Sequence, residues 1–142
     1  ILKSLSPLLL EPTYVFCTVP NARYGDYAET APIASFLENE GLTLVLTQAS
    51  ADSHGLAYEG LFSCISLQVH SSLESVGLTA MVSGQLAAHN ISANRIAGYQ
   101  DWVLAQSCSA NSPMGHDKSY HSQLAFESRR SYLSGQLQVI AR

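Results

Sequence analysis

Ser, His and Asp residues are all present in this chain, yet none stands in a spacing that builds a nucleophile. Asp26, Asp52, Asp101 and Asp117 fall in separate polar contexts, so no carboxylate pair is offered for general acid and base work. There is no Gly-x-Ser-x-Gly elbow, no phosphate loop of the Walker type and no Gly-x-Gly-x-x-Gly. Cys108, His116, Asp117 and His121 crowd one stretch, but their intervals fit no established zinc pattern. The expectation is therefore a protein that is not an enzyme and holds no metal or cofactor. His70 and His89 flank an apolar segment and read as solvated or capping groups. One spacing does carry a mechanism. Ser71 followed by Glu74 satisfies the capping box, in which the hydroxyl accepts from a first-turn N–H and the carboxylate reaches back.

The totals narrow the field further. A chain of 142 residues that is 46% hydrophobic can bury a core, as one compact domain or two small units sharing a sheet. A net charge of −4 without a basic cluster gives no footprint for nucleic acid or for a membrane surface. The longest apolar runs are far short of a spanning helix. Cys17 and Cys64 lie in apolar strand-like runs, where a free thiol behaves as a small buried hydrophobe. An odd cysteine count points the same way, to a reducing, cytoplasmic setting. Ile1 to Leu10 reads as a short amphipathic lead-in helix and not as a signal segment. Ile1 stands where an initiator Met would, so further residues are expected upstream.

The elements that must position any site can be read in order. Tyr14 to Val19 is a strand ended by Pro20 and Asn21. Thr30 is placed to cap a helix with Pro32 in its first turn, with Ile33, Phe36 and Leu37 on one face and Gly41 as the stop. Leu42 to Leu46 is a strand, and Ala49 to Tyr58 a turn or short helix. Leu61 to Val69 alternates as a strand. The capped helix follows, with Leu73, Val76, Gly77, Ala80, Met81, Gly84, Ala87 and Ala88 as a small-residue apolar face for close approach to the sheet. Asn90 lies just past it, and Ile91 to Ala97 is the next strand. The reading is α+β, an antiparallel sheet with helices on one face, in the order strand, helix, strand, strand, helix, strand. After Tyr99 the periodicity fades, and only Tyr132 to Ile140 regains some.

Two segments carry a resemblance. Glu40-Gly-Leu-Thr-Leu-Val-Leu46 and Val69-His-Ser-Ser-Leu-Glu-Ser-Val-Gly-Leu-Thr-Ala80, followed by Ile91-Ser-Ala-Asn94 and Ile96-Ala-Gly-Tyr99, resemble small proteins with two tandem ACT units. These are related to the CASTOR-type ACT domains of amino-acid sensors. The resemblance covers roughly residues 10–99. It implies ferredoxin-like βαββαβ units, here an N-terminal ACT-like unit at 1–60 and the core of a second at 61–99. Residues 100–142 depart from the family pattern and form a divergent tail, expected to be partly disordered.

The resemblance also implies a ligand site at a strand–helix junction near a unit or subunit interface. A helix N-terminus after Val69 presents unpaired N–H groups and the positive end of its dipole, which suits a ligand carboxylate. The ligand contacts carried over from the motif are Ser71, Ser72, Leu73, Glu74, Val76, Gly77 and Leu78, with Asn94 and Ile96 opposite. Each has a plainer reading: Ser71 and Glu74 as a cap alone, Gly77 as packing, and Asn94 as a satisfied strand-end polar group. The function expected is an amino-acid-binding regulatory module, homodimeric or paired with a regulatory protein. The alternative is a ligand-free ACT-like dimerisation scaffold.

Overall fold

The first strand organises the whole sheet. β1 (Pro7–Val19) is long enough to hold a partner along each edge. Its second half, Tyr14 to Val19, pairs antiparallel with β3 (Gly41–Thr47), and on its other edge it pairs with β4 (Leu61–Leu67). The β4 register breaks between Leu9 and Thr13. Pro12 falls inside that break, where its missing N–H costs the ladder nothing. β2 (Ala34–Glu38) pairs with β3 at one end of the sheet, and β6 (Asp101–Cys108) joins β4 to β5 (Ala93–Ala97) at the other. The order across the antiparallel sheet is β2-β3-β1-β4-β6-β5. The computed structural model describes residues 7–67, 77–88, 90–98, 101–108 and 134.

Two helices lie on one face of the sheet. α1 (Gln48–Ser53) packs against β1 and β3, where Val15, Cys17, Leu42, Leu44, Leu46 and Ala51 form one core cluster. α2 (Leu78–Ala88) sets Val82 and Leu86 against Ile65, Leu67, Val103 and Ala105. Leu61 and Ile65 alternate on the same side of β4 and belong to these two clusters, which puts both helices on one side. The opposite face is built from Tyr14, Val45, Phe62, Cys64 and Leu104. Phe16 and Phe62 meet there edge to face, with ring centroids 4.9 Å apart.

Several expectations need correction. The helix expected after Thr30 is a short 3-10 turn, Ala28–Thr30, followed by the strand β2. The spacing of Ile33, Phe36 and Leu37 fits a helix, but β3 lies alongside and takes the segment into a hairpin. Gly41 starts β3 and stops no helix. At φ 141° it sits against the carbonyl of Val19, and a methyl there would collide with that backbone. Thr30 Oγ1 donates to the Tyr27 carbonyl and caps no helix. Pro7 to Leu10 belong to β1, so the lead-in helix is not seen there.

The face of α2 also differs. Val82 and Leu86 are buried and Met81 half-buried, whereas Ala80, Gly84, Ala87 and Ala88 are exposed. Larger side chains win the core because they remove more apolar area from water. β4 is buried on both sides, Ser63 and Cys64 included. Asp101 to Cys108, beyond the boundary expected at residue 99, form the sixth strand. Among the described residues the element order is thus three strands, α1, a strand, α2 and two strands. This is an α+β fold with a largely antiparallel sheet, and the described residues do not by themselves give the βαββαβ order.

Helix α2 ends as its sequence suggests. Asn90 takes a left-handed φ of 58°, its N–H reaches the Ala87 carbonyl at 2.9 Å, and the Ile91 N–H reaches Leu86 at 2.9 Å. That pattern closes the helix and turns the chain directly into β5.

Candidate ligand site at the start of α2

Ser71, Ser72, Leu73, Glu74 and Val76 lie outside the described residues, as do His70 and His89. So do His116, Asp117 and His121. Gly77 and Leu78 are described at the entry to α2. Gly77 has φ 92° and is exposed, and its carbonyl accepts the first helical bond, from Met81 N–H at 3.0 Å. Nothing lies within 4 Å of where its Cβ would be. A left-handed backbone, and not close packing, is therefore what calls for glycine here.

Asn94 and Ile96 are not brought to that helix end. In the β5–β6 register Asn94 stands opposite Leu104 and Ile96 opposite Trp102, residues of the helix-free face. Ala93 and Arg95 stand opposite Ala105 and Val103, residues of the face that α2 covers. The sheet itself separates Asn94 and Ile96 from Gly77 and Leu78. Alternation along a strand makes a one-residue error in choosing side chains a complete change of face.

The residue that does reach α2 is Arg95. Its guanidinium donates to Thr79 Oγ1 in the first turn of the helix, and through its other terminal nitrogen to Asp101 Oδ2 at 2.7 Å. The Arg95 side chain is 25% exposed and that of Asp101 only 5%. Among the described residues Arg95 Nε is buried without a hydrogen-bond partner. Three elements thus converge: the helix start, β5 and the first residue of β6. The arrangement places a cation, anchored by a buried carboxylate, beside the positive end of a helix dipole, a setting suited to an anionic group. In the sequence Arg95 stands in no motif, and Asp101 is only one of four scattered aspartates. The available signal was their position on either side of Gly98, where a hairpin brings strand residues into diagonal contact.

A second polar network lies under α1. Thr47 caps that helix by accepting from Ser50 N–H at 3.2 Å, and Ser50 Oγ donates to the Thr30 carbonyl at 2.9 Å. Tyr58 Oη donates to Asp52 Oδ1 at 2.8 Å and accepts from Gln48 Nε2 at 3.1 Å. Beneath it burial, with a smaller push from the Asp52 charge, raises the Cys17 thiol from 9.0 to about 11. Burial alone carries Cys64 to about 12. Neither thiol is a thiolate at neutral pH, so both serve as packing groups. These bonds fasten α1 to the turn at Ala28–Thr30 and to the loop that carries Tyr58.

Comparison with known proteins places this chain. Residues 1–63, spanning β1 to the start of β4, match the family model of the ACT domain. A solved structure of a Vibrio cholerae protein, described as of unknown function and a possible transport protein, is 42% identical to it. That match covers 99% of this chain and 93% of the other, with a TM-score of 0.69. The chain belongs to the same family as that protein, and its N-terminal part is an ACT-type domain. No curated protein matches it.

Proposed function

We propose that this protein is a regulatory module that binds a small molecule, an amino acid, and answers by changing how it pairs with a second copy or a regulatory protein. The observation that carries this reading is the ACT domain match over residues 1–63. ACT-type domains are ligand-binding regulatory modules, and a fold alone would host many functions. The ligand site lies, in this reading, at the junction before α2, beyond the matched residues 1–63, where the Arg95 guanidinium reaches Thr79 in the first turn of the helix. No catalytic step or cofactor is part of this reading, nor is nucleic acid or a membrane. Among the described residues no helix is long and apolar enough to cross a membrane. The free, buried Cys17 and Cys64 favour a cytoplasmic setting.

Ligand can shift pairing only if it binds one arrangement better than another. A thermal-shift screen of the full chain against the twenty amino acids tests the reading. A ligand at about 100 times its Kd adds roughly 2.7 kcal/mol, a rise of about 5–10 °C for a chain of this size. Gly77→Asp places a negative charge at the helix entry and is expected to abolish the rise. A flat panel from a cooperatively melting protein would move the assignment to a ligand-free dimerisation scaffold.

A further inference from the structure

Strand β2 is a sheet edge whose outward hydrogen-bonding groups can be assigned. Among the described residues no strand lies beyond it. In an antiparallel ladder the N–H and C=O of one residue point to the same side, and successive residues alternate. The Leu37 N–H is donated to Tyr24 Oη at 3.0 Å, in the loop that precedes β2, and so points away from β3. Ser35, two residues earlier, points the same way. Ala34, Phe36 and Glu38 therefore carry the ladder to Val45, Thr43 and Gly41. What the edge offers a further strand is the backbone groups of Ser35 and Leu37, with Phe36 between them 41% exposed and Leu37 54% exposed.

Tyr24 reaches that edge because a tight turn holds it there. The turn from Arg23 to Asp26 closes with the Asp26 N–H on the Arg23 carbonyl at 3.0 Å, and the Arg23 N–H donates to Asp26 Oδ2 at 2.8 Å. Gly25 supplies a left-handed φ of 93° at the third position of the turn, with Tyr24 as the second. The Tyr24 hydroxyl thus stands where the carbonyl of an added strand would stand. Tyr24 is 62% exposed, so its ring leaves the edge with little loss of burial.

We propose that Tyr24 is a removable cap on the β2 edge, and that when it lifts, β2 pairs antiparallel with β2 of a second copy about a two-fold axis at Phe36. The outward groups dictate this register. Ser35 of each copy exchanges both backbone bonds with Leu37 of the other, and Phe36 meets Phe36 in the close, non-hydrogen-bonded position between them. Charge permits it: Glu38, the one charged residue of β2, then stands opposite Ala34 and meets no like charge. The interface is isologous, closes at two copies and joins two six-stranded sheets into one. It names the surface through which the pairing in the proposed function runs, and rests on that reading only to that extent. Each copy's cap opposes pairing until it is displaced.

The test cross-links the full chain with no amino acid present, so that a failed ligand screen and a failed edge are told apart. In this register the two residues at position 36 have Cα atoms about 4.5 Å apart, within disulfide reach. Phe36→Cys is expected to yield a disulfide-linked dimer on mild oxidation, above the level of the parent chain with its three cysteines. Adding Tyr24→Phe is expected to raise the linking rate at least about fivefold, since a competing hydrogen bond is gone from each copy. Glu38→Cys is expected not to link, because its two copies lie roughly 14 Å apart along the strands. Leu37→Pro removes the outward N–H and spares the ladder to β3, and added to Phe36→Cys is expected to return the linked fraction to the parent level. If Phe36→Cys disturbs the fold, sedimentation velocity of Tyr24→Phe alone decides, with a concentration-dependent dimer expected. A monomer at every concentration would overturn the proposal and leave the edge to a strand of another protein. Equal linking through Glu38→Cys, or a rate unmoved by Tyr24→Phe, would overturn it as well.

Discussion

Arg95 and Asp101 lie diagonally across the β5–β6 hairpin, joined by a 2.7 Å contact between guanidinium and a carboxylate that is almost wholly buried. The same guanidinium holds Thr79 in the first turn of α2. Helix start and sheet edge are thereby tied through one side chain. Removing the carboxylate's charge leaves a partly buried cation uncompensated. Asp101→Asn is expected to destabilise the fold by about 1–3 kcal/mol, toward the lower end because Arg95 keeps some contact with water. Urea denaturation measures it. Arg95→Met is expected to cost more, since it removes the bonds to both Thr79 and Asp101. A loss below 0.5 kcal/mol (roughly the surface norm) in both variants would deny the tie its structural role.

Two glycines separate conformational strain from collision. Gly77 needs a left-handed φ but has open space around it, whereas Gly41 needs an unusual φ and meets the Val19 backbone. Gly77→Ala is expected to cost about 1 kcal/mol, and Gly77→Asn less, because Asn tolerates that region. Gly41→Ala is expected to cost clearly more than Gly77→Ala, since the hairpin must move away from β1. Thermal denaturation of the three variants ranks them.

Alkaline pH should weaken the fold in a defined window. Cys17 and Cys64 ionise at about 11 and about 12 when folded, against 9.0 when unperturbed. A group whose folded pKa is raised contributes its full stability below the unfolded value and loses it as pH rises through the folded one. Over that range the unfolded chain has released protons that the folded chain still holds, so stability falls with pH. Stability is thus expected to decline between about pH 9 and about pH 12, and Cys64→Ala to flatten the decline. Equal slopes in the two proteins would show that Cys64 is not its source.

Strand β2 is a sheet edge with two exposed apolar residues, Phe36 at 41% and Leu37 at 54%. The Leu37 N–H is not left open: it donates to Tyr24 Oη at 3.0 Å. Tyr24→Phe removes that acceptor. Stability is expected to change by less than about 1 kcal/mol, because water replaces the hydroxyl. Self-association is expected to rise, because an edge with a free donor and apolar neighbours can pair. Sedimentation velocity over a concentration series reads both monomer and dimer.

How much of this was legible in the residues depends on which force set each element. Leu42 to Leu46 and Leu61 to Leu67 declare themselves, because continuous apolar or β-branched runs have few other places to go. The end of α2 was readable from Asn90. The segment from Ile33 to Leu37 was not, since its spacing fits a helix and only the neighbouring β3 makes it a strand. The apolar face of α2 was misjudged by weighing many small residues over Val82 and Leu86. At the candidate site Gly77 was read as lying inside a helix begun at Ser71, whereas α2 begins at Leu78 and Gly77 takes a left-handed φ before it. The opposing strand was right in position and wrong in face, which left Arg95 unnoticed between Asn94 and Ile96. Parity along a short strand is fixed by partners such as Val103, which a single segment does not display.

The central claim is that a small amino-acid ligand binds where α2 begins. The most direct measurement is an amide NMR titration of the full chain with whichever amino acid raises its melting temperature most. The expected result is saturable shifts concentrated at Gly77, Leu78 and Thr79 and at Arg95, absent in Gly77→Asp. Shifts centred instead on α1, or no saturable shift with any of the twenty amino acids at millimolar concentration (about the weakest affinity of use to a sensor), would contradict it.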